Sequence, residues 1–400
     1  MTKSILTINT GSSSLKAALY RAGPPEALAL TVNAERIGQS GSRLRIKDDR
    51  GATLVARSED LTNHADALRV LFDWLGSEGH DQSLAAIGHR VVHGGSRNTR
   101  PQVIDANVVQ AIQDLVTIDP DHLPQALAGI QAAGERYPTI PQVACFDTTF
   151  HRQMPRVAQR YPLPDELGEA GLIRYGFHGL SYESIMNTLR AEAAAAADGR
   201  IIIAHLGNGA SMAAVRAGVG IDTTMGFTPT GGLVMGTRSG DLDPGVILYL
   251  LQSRGMSPVE VNRLVNHQAG LIGVSGTSAD MRDLLGREET DSRAALAIDL
   301  FCYQAKKFLG ALTAALGGLD TLIFTAGIGE HAAPVRQRIC AGLEFLGIQL
   351  DPSRNAAHQS IISADHSSVI VRVMKTDEDL MIARHTGHLV LEQGGSSVSV

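Results

Sequence analysis

Two segments of the same design, about 200 residues apart, constrain the fold of this 400-residue chain more than any other feature. The first runs from the strand-like ILTINT at 5–10 through the turn GSSS to LKAALY at 15–20, and the second from IIIAHL at 201–206 through GNGAS to MAAV at 212–215. Apolar runs joined by turns of Gly, Ser and Asn predict β-hairpins. Because each hairpin opens one half of the chain, the pair predicts an internal duplication of two similar domains.

A third segment has a strand followed by glycines. LIFTA at 322–326 leads into GIGE at 327–330, and apolar residues four apart then continue a helical pattern through Val335, Ile339 and Leu343. A strand that enters a helix through glycines is typical of an anion or nucleotide site. Taken alone, the segment is better explained as an ordinary turn between a strand and a helix.

The rest of the chain alternates predicted strands and helices, which favours an α/β architecture. The patterns predict helices at 66–75, 191–197 (ended by Gly199) and 294–316, strands at 85–92, 143–146 and 369–374, and a helix cap with acidic first-turn residues at 376–379. The small, polar residues 394–400 are expected to be disordered.

Composition excludes several classes of function. The net charge of −6 argues against broad binding of nucleic acid or of an anionic membrane, so an anionic substrate has to be met by a few local arginines or a metal. The three cysteines form no CxxC pair, so their spacing predicts neither a zinc site nor a disulfide framework. The N-terminus lacks the apolar core of a signal peptide, and no apolar run of about 18 residues exists. We therefore expect a soluble cytoplasmic protein.

Neither a GxxxxGK[ST] loop nor a GxGxxG motif opening a helix occurs, so shorter glycine and serine turns would have to bind phosphates. Four polar clusters lie in apolar surroundings: GHRVVHGG at 88–95, FDTTFH at 146–151, RYGFHG at 174–179 and MGTRSGD at 235–241. Each alone has a structural explanation, such as an ion pair for Arg90, a core histidine for His178 or a turn residue for Asp147. Together they favour a shared cleft. We do not expect His89 and His93 to bind metal from a strand.

In family order, NxGSSSxK from Asn9 to Lys16, HRVVHGG, FDTTFH, RYGFHG, HLGNGAS, MGTRSGDLDP, SGTSADMRDL, FTAGIGE and TDEDL closely resemble acetate kinase, of the acetokinase branch of the sugar kinase, Hsp70 and actin superfamily. The resemblance runs from Ile5 to about Arg384. It implies an α/β fold with a duplicated actin-like (ribonuclease H-like) ββαβαβα core in two domains, an ATP cleft between them, and a homodimer. The N-terminal domain would span 1–150, completed by a C-terminal helix at about 380–393, and the second domain 151–379.

The resemblance also implies roles for individual residues. Magnesium, or manganese in its place, would be bound by Asn9 and Glu378. The phosphates of ATP would face Lys16, His205, Leu206, Gly207, Asn208 and Gly209. The adenosine would lie against Asp280, Met281, Arg282, Gly327, Ile328, Gly329, Glu330 and His331. Arg90 resembles the arginine that binds the carboxylate substrate. The catalytic trio would be Asp147, His178 and Arg238.

These residue types suit reversible phosphoryl transfer from ATP to acetate. A carboxylate is already a nucleophile near neutral pH, so catalysis reduces to positioning and to stabilising charge on the transferred group. Arginines bind carboxylate and phosphoryl oxygens in a planar fork, and His178 can donate to an equatorial oxygen. Asp147 is not needed as a base, and we expect it to orient an arginine or a metal-bound water. A propionate or butyrate kinase is the nearest alternative. A non-catalytic ATP-binding switch of the Hsp70 or actin type would not keep Arg90, His178 and Arg238 together.

One position departs from the family. An apolar residue that lines the acyl pocket usually precedes the histidine at His122, but here Asp121 takes that place, while Val92, Phe177 and Pro229 keep the pocket's apolar character. A buried unpaired carboxylate is costly, so Asp121 is expected to turn to solvent, pair with a cation or make the pocket wetter. We therefore expect a preference for acetate over propionate and butyrate.

Overall fold

The computed structural model describes residues 2–11 and 13–392. The predicted disordered tail at 394–400 lies outside the described residues. The chain divides into two compact units, one drawn from Met1–Thr149 and Asp377–Val400 and the other from Phe150–Thr376. We call them unit 1 and unit 2 and describe each by itself. Among the residues described, no helix is long and apolar enough to cross a membrane.

Unit 1 is built on a mixed sheet with the strand order β5-β4-β3-β2-β1-β6-β8-β7. Its strands are β1 Ser4–Thr10, β2 Ser14–Arg21, β3 Ala27–Glu35, β4 Arg43–Asp48, β5 Thr53–Ser58, β6 Leu84–Val91, β7 Gln102–Val103 and β8 Gln142–Phe146. Its first helices are α1 His64–Ser77, α2 Ala106–Asp114 and α3 Leu123–Arg136. Apolar residues of α1, among them Leu68, Leu71 and Phe72, are buried in one core cluster with apolar residues of the sheet.

Unit 2 has a five-stranded sheet in the order β11-β10-β9-β12-β13. The strands are β9 Arg200–Leu206, β10 Ala210–Arg216, β11 Val219–Thr223, β12 Thr321–Thr325 and β13 Ile370–Val373. The helices are α4 Arg156–Gln159, α5 Asp165–Glu169, α6 Gly179–Glu192, α7 Ala194–Ala197, α8 Pro244–Gln252, α9 Pro258–Arg263, α10 Gly270–Ser275, α11 Met281–Leu285, α12 Ser292–Leu316, α13 Ala326–His331, α14 Ala333–Cys340 and α15 Pro352–Ala356. The chain then returns to unit 1 as α16 Glu378–Gly387, which continues as a π-helical segment at His388–Glu392.

The two sheets share one five-stranded pattern, because β3-β2-β1-β6-β8 corresponds to β11-β10-β9-β12-β13. In each, three strands run antiparallel in succession, and the first of them pairs in parallel with a strand that follows a crossover. The two predicted hairpins, β1 with β2 and β9 with β10, are therefore confirmed. The structure adds to each hairpin a third antiparallel strand that the sequence patterns did not predict.

Most other predicted elements are confirmed within one to three residues at their ends. The helix predicted at 191–197 is wrong as a single element. Helix α6 ends at Glu192, and the backbone of Ala193 leaves the helical region with φ −152° and ψ 70° before α7 begins. Strands β3, β4 and β5 were missed, although buried residues alternate with less buried ones in β3 (Leu30, Val32, Ala34) and β4 (Leu44, Ile46).

Candidate active site

In unit 1, the carboxyl ends of two neighbouring parallel strands bring Arg90 and Asp147 together. Arg90 is the second-last residue of β6, and Asp147 directly follows β8. The backbone N–H of Asp147 donates a hydrogen bond to the carbonyl of Val91. Arg90 Nη2 donates to Asp147 Oδ2 at 2.6 Å and Nε donates to Oδ1 at 3.0 Å. The aspartate side chain is 1% exposed and the arginine 18% exposed. This two-bond fork fixes the guanidinium plane.

The remaining nitrogen of the guanidinium faces oxygens from two other elements. Arg90 Nη1 donates to Asn9 Oδ1 in β1 at 3.2 Å and lies 3.6 Å from Glu378 Oε2 at the start of α16. Asn9 Nδ2 in turn donates to the same Glu378 oxygen at 3.4 Å. The structure thus gathers four of the predicted site residues from β1, β6, β8 and α16 into one polar cluster, which we call the Arg90 cluster: Asn9, Arg90, Asp147 and Glu378.

Burial and charge act in opposite directions in this cluster. Burial alone lowers the pKa of the Arg90 guanidinium, but Asp147 and Glu378 raise that pKa above its usual value, so Arg90 stays charged. Burial raises the pKa of Asp147, and the charge and hydrogen bonds of Arg90 oppose that rise. Asp147 is therefore suited to hold Arg90 in place, as expected from the sequence.

Sequence reasoning missed Asp379, which follows the predicted metal ligand Glu378. Its Oδ1 accepts a hydrogen bond from Thr7 Oγ1 in β1 at 3.1 Å. Burial, followed by repulsion from Glu378, raises the pKa of Asp379 to about 6. The TDEDL run was interpreted as a helix cap, and Asp377 does cap α16 by accepting from the N–H of Leu380. Nothing in that local pattern distinguishes Asp379 as the carboxyl that contacts β1.

Lys16 occupies the position in β2 that pairs with Asn9 of β1. Its side chain is exposed. Strand register therefore places an exposed cation on the strand next to a predicted metal ligand.

In unit 2, two of the predicted histidines stack on each other. His178 immediately precedes α6 and has a left-handed backbone, with φ 57°. Its ring lies 4.1 Å from that of His205 in β9, with the ring planes 18° apart. A serine is hydrogen-bonded to each ring: Ser211 Oγ to His178 Nδ1 and Ser181 Oγ to His205 Nδ1, both at 2.8 Å. In each ring the serine is bonded at Nδ1, and Nε2 is on the other side of the ring from that serine.

The glycine at 209 leaves room for His178 and Arg238 to approach one point. A methyl group built on Gly209 would lie 3.4 Å from His178 Nε2 and 3.7 Å from Arg238 Nη1. A hydrogen bond also orients the arginine, because Arg238 Nη1 donates to the carbonyl of Pro229 at 3.2 Å. Two nitrogen donors therefore border the small space above the turn between β9 and β10, as the bonding of an anionic group requires.

A cavity of about 600 Å³ in unit 2 collects most of the residues predicted to bind nucleotide. Three predicted segments, far apart in the sequence, contribute to its walls. The lining residues are Gly207, Asn208, Ala279, Asp280, Met281, Arg282, Gly327, Ile328, His331 and Ala332. Its size is typical of a site for a small ligand.

Buried Arg336 supports the part of this wall that α13 forms, and sequence reasoning missed it. The side chain is fully buried. Nη1 donates to the carbonyls of Gly329 and Glu330, each at 2.9 Å, while Nε and Nη2 donate to the side chain and backbone of Asn355 at 2.8 Å. Burial lowers the pKa of Arg336 to about 10. Arg336 thus satisfies carbonyl groups near the C-terminal end of α13, which is six residues long and forms part of the cavity wall.

The predicted residues therefore fall into three groups. The Arg90 cluster and Lys16 belong to unit 1. His178, His205 and Arg238 with the turn at 206–209 belong to unit 2. The cavity also belongs to unit 2, and of the residues predicted at 327–331 its lining takes in Gly327, Ile328 and His331 but not Gly329 or Glu330. Asp147 is thus in a different unit from the other two members of its predicted trio. Over residues 2–11 and 13–392, no group of three or more His, Cys, Asp or Glu side chains is arranged to hold a metal.

Comparisons with known proteins show the family. The chain matches the Acetokinase family over residues 4–384. It is 45% identical over 395 residues to an acetate kinase of Rhodopseudomonas palustris, an alignment that covers 97% of this chain and 99% of that protein.

Two crystal structures are also similar, each at 36% sequence identity. A propionate kinase from Francisella tularensis gives a TM-score of 0.90, covering 96% of this chain and 99% of that one. An acetate kinase from Porphyromonas gingivalis gives 0.86, covering 97% and 100%. The two-domain actin-like α/β fold is confirmed, and the chain belongs to the Acetokinase family.

Proposed function

We propose that the protein transfers the γ-phosphoryl group of ATP to acetate, reversibly, to give acetyl phosphate and ADP. A carboxylate oxygen of acetate forms a bond to the γ-phosphorus as the bond to the β–γ bridging oxygen breaks, and ADP leaves with that electron pair. The observation that carries the proposal is the cavity where three sequence segments predicted to bind nucleotide meet. Two of its lining residues, Gly207 and Asn208, directly precede Gly209, which His178 and Arg238 border.

In this reaction Arg90 binds the carboxylate of acetate. Its guanidinium is fixed by Asp147, so little conformational entropy is lost when the acid binds. Asp147 acts as a positioning group. His178 Nε2 and Arg238 Nη1 donate to the equatorial oxygens of the phosphoryl group, where negative charge is greatest during transfer.

The Arg90 cluster also fits a divalent metal that arrives with the nucleotide. Asn9 Oδ1 lies 3.2 Å and Glu378 Oε2 lies 3.6 Å from Arg90 Nη1. One carboxylate and one amide oxygen are too few to bind Mg²⁺ tightly, but Mg²⁺ usually keeps several waters and takes substrate phosphates as ligands. When bound, the ion would neutralise charge on the β- and γ-phosphates. Mn²⁺ prefers similar oxygen ligands. Calorimetry should therefore show weak Mg²⁺ binding without nucleotide; tight binding would contradict this assignment.

The activity is tested by incubating the protein with ATP, Mg²⁺, acetate and hydroxylamine, which traps acyl phosphate as a coloured hydroxamate. We expect hydroxamate that depends on acetate, on ATP and on the metal. ATP hydrolysis without hydroxamate would refute the proposal, and so would tight nucleotide binding with no turnover, which would instead favour an ATP-binding switch.

A propionate kinase is the second candidate, because the similar structure from Francisella tularensis is described as one. The same trapping reaction, run with propionate and butyrate, compares kcat/KM for the three acids. A higher value for propionate than for acetate would make this second function the correct one.

We also propose that the protein forms a homodimer through α8. This helix is rich in Val, Ile and Leu, yet none of its nine residues is buried. Val246, Leu248 and Tyr249 are 41%, 52% and 54% exposed. Apolar side chains grouped in this way mark an interface. The proposed partner is a second copy of the protein, because another copy is always present. Sedimentation should show a dimer, and Leu248→Asp with Tyr249→Asp should give a folded monomer. A monomeric parent would refute the proposal.

A further inference from the structure

A chain of hydroxyl groups runs from the core of unit 2 to the inner nitrogen of His178. Tyr182, on the first turn of α6, is fully buried, as is Ser211 in β10. The tyrosine hydroxyl is hydrogen-bonded to Ser211 Oγ, which in turn lies 2.8 Å from His178 Nδ1. Of these three hydrogen-bonded residues, only His178 was identified from the sequence as functional. Neither the Tyr182 nor the Ser211 hydroxyl can itself reach a substrate from the core.

The serine hydroxyl has one proton and cannot donate to both neighbours. A phenol is more acidic than an alcohol and is the better donor, while an unprotonated imidazole nitrogen is a good acceptor. The favoured direction is therefore from tyrosine to serine and from serine to His178 Nδ1, and the two bonds strengthen each other because each polarises the next. In this direction Nδ1 carries no proton, so a neutral His178 must carry its proton on Nε2.

We propose that Ser211, supported by Tyr182, is a positioning residue that holds His178 as the neutral Nε2–H tautomer. The Nε2 atom is the one that borders the space above Gly209. His178 therefore presents a hydrogen-bond donor to that space without having to take up a proton from solvent. The serine acts only through the histidine and touches no substrate.

The surroundings of His178 make this arrangement useful. On one side its ring stacks on His205 of β9, and Arg238 Nη1 borders the same small space above Gly209. A second positive charge on His178 beside Arg238 is electrostatically unfavourable. A fixed neutral donor avoids that repulsion and keeps the donor present across neutral pH, whereas an imidazole with free choice of tautomer would lose it part of the time.

The consequence for catalysis rests on the proposed phosphoryl transfer, but the tautomer itself does not. Nitrogen-15 NMR reports directly which imidazole nitrogen carries the proton. In uniformly labelled parent protein above pH 7, with the His178 resonances assigned by their loss in His178→Gln, we expect the signature of a protonated Nε2 and an unprotonated Nδ1. In Ser211→Ala we expect averaged shifts from a mixture of tautomers. This measurement needs no turnover.

Kinetics gives the second readout. In Ser211→Ala, a neutral His178 divides between tautomers, and only one of them presents an Nε2 proton. The kcat of this variant should therefore fall by about tenfold at pH 8, as expected for loss of one orienting hydrogen bond. Tyr182→Phe should have a smaller effect, since Ser211 can still donate to His178.

Ser181→Ala is the matched control, because Ser181 is equally buried and makes the same 2.8 Å bond to the Nδ1 of the stacked His205. It removes one buried hydroxyl and should lower the thermal midpoint about as much as Ser211→Ala does. It should leave the His178 nitrogen-15 shifts unchanged. A parent His178 with its proton on Nδ1 would overturn the proposal. So would a Ser211→Ala variant with unaltered His178 shifts, or a Ser181→Ala variant that changes the His178 shifts in the same way. If the parent made no acyl phosphate while the NMR result held, the proposed function alone would fail.

Discussion

The Arg90 cluster of unit 1 and the stacked histidines of unit 2 hold their functional nitrogens by different physical means. Arg90 is fixed by an ion pair with a buried carboxylate, and Asn9 and Glu378 add further oxygens on its open side. His178 and His205 are each held at Nδ1 by a neutral hydroxyl, that of Ser211 and that of Ser181 respectively.

The difference follows from the task proposed for each nitrogen. A group that binds a carboxylate has to be a permanent cation, and a buried counter-charge keeps it charged and oriented at the same time. A group that donates to a phosphoryl oxygen beside Arg238 gains from being neutral, since an added charge would repel the arginine. Charge pairing suits the first task and hydroxyl pairing the second. The predictions below are chosen to separate these two modes, from the largest expected effect to the smallest.

The largest effect is expected on removing either arginine. Arg90→Ala removes the proposed contact to the acid and Arg238→Ala a proposed contact to the phosphoryl group, so each should lower kcat/KM by roughly two to four decades. Hydroxamate formation at several acetate and ATP concentrations measures this. Near-normal turnover by either folded variant would show that the arginine is not part of the site.

The two arginine variants should differ in stability. Arg90→Ala leaves Asp147 as a buried carboxylate without its ion-pair partner, which costs several kcal/mol. The double variant Arg90→Ala/Asp147→Asn should regain most of that stability and none of the activity. If the double variant regained activity as well, Arg90 would serve only to neutralise Asp147.

Asp147→Asn tests whether this carboxylate orients Arg90 or moves a proton. The change keeps the size of the side chain but removes its charge and one acceptor, so Arg90 should lose its fixed plane. We expect a fall of about one to two decades in kcat/KM, carried mainly by a higher KM for acetate. A fall confined to kcat, with an altered pH profile and an unchanged KM, would instead assign Asp147 an acid–base role.

Each unit also contains a buried histidine outside the proposed chemistry, and these two provide a comparison of stability. His89 in β6 is hydrogen-bonded to Gln142 Oε1 at 2.7 Å and His151 to the carbonyl of Phe177 at 2.9 Å. Burial lowers the pKa of each to about 4. Between that value and the unfolded value of about 6.5, the unfolded chain binds more protons, so stability falls as the pH drops.

Each of these histidines should cost about 2 to 3 kcal/mol of stability between pH 7 and pH 4.5. His89→Gln and His151→Gln, although destabilised at pH 7, should each lose correspondingly less on acidification. Urea unfolding at the two pH values measures the difference. A variant with the same acid sensitivity as the parent would show that its histidine is already protonated in the folded protein.

Sequence patterns predicted the parts of the fold and site that local chemistry determines. The hairpins could be predicted because apolar strands and Gly/Ser turns are encoded within some 15 residues, and the positions of Arg90 and Asp147 because both end buried strands. The duplicated domain order followed from the spacing of these units along the chain.

The residues that were missed owe their roles to distant contacts. Asp379 contacts Thr7 from the other end of the sequence, and Ser211 is one small residue in a buried strand until α6 brings Tyr182 against it. Arg336 lies in a helical pattern where an exposed arginine is the ordinary expectation, yet it is fully buried among carbonyls. Only tertiary packing distinguishes such residues from their neighbours.

The smallest expected effect concerns the acid's chain length and returns to the carboxylates of unit 1. In the turn before α3 the fully buried carboxylate is that of Asp119, whose Oδ1 is bonded to His122 Nδ1 at 2.7 Å, while Asp121 is only partly buried. Asp121 therefore keeps contact with water. In a dry apolar pocket an added methylene gains roughly 0.8 kcal/mol, or about fourfold in affinity, and a hydrated carboxylate nearby should cancel that gain.

We accordingly expect the parent to prefer acetate over propionate and butyrate, and Asp121→Leu to shift the ratio of kcat/KM toward propionate by about fourfold. Asp121→Asn is the control, because it removes the charge but keeps the size and most of the hydration, and it should shift the ratio less. Equal shifts in the two variants would mean that charge alone excludes the longer acid. A parent that favours propionate, or a leucine variant with unchanged ratios, would show that Asp121 does not limit the length of the acid.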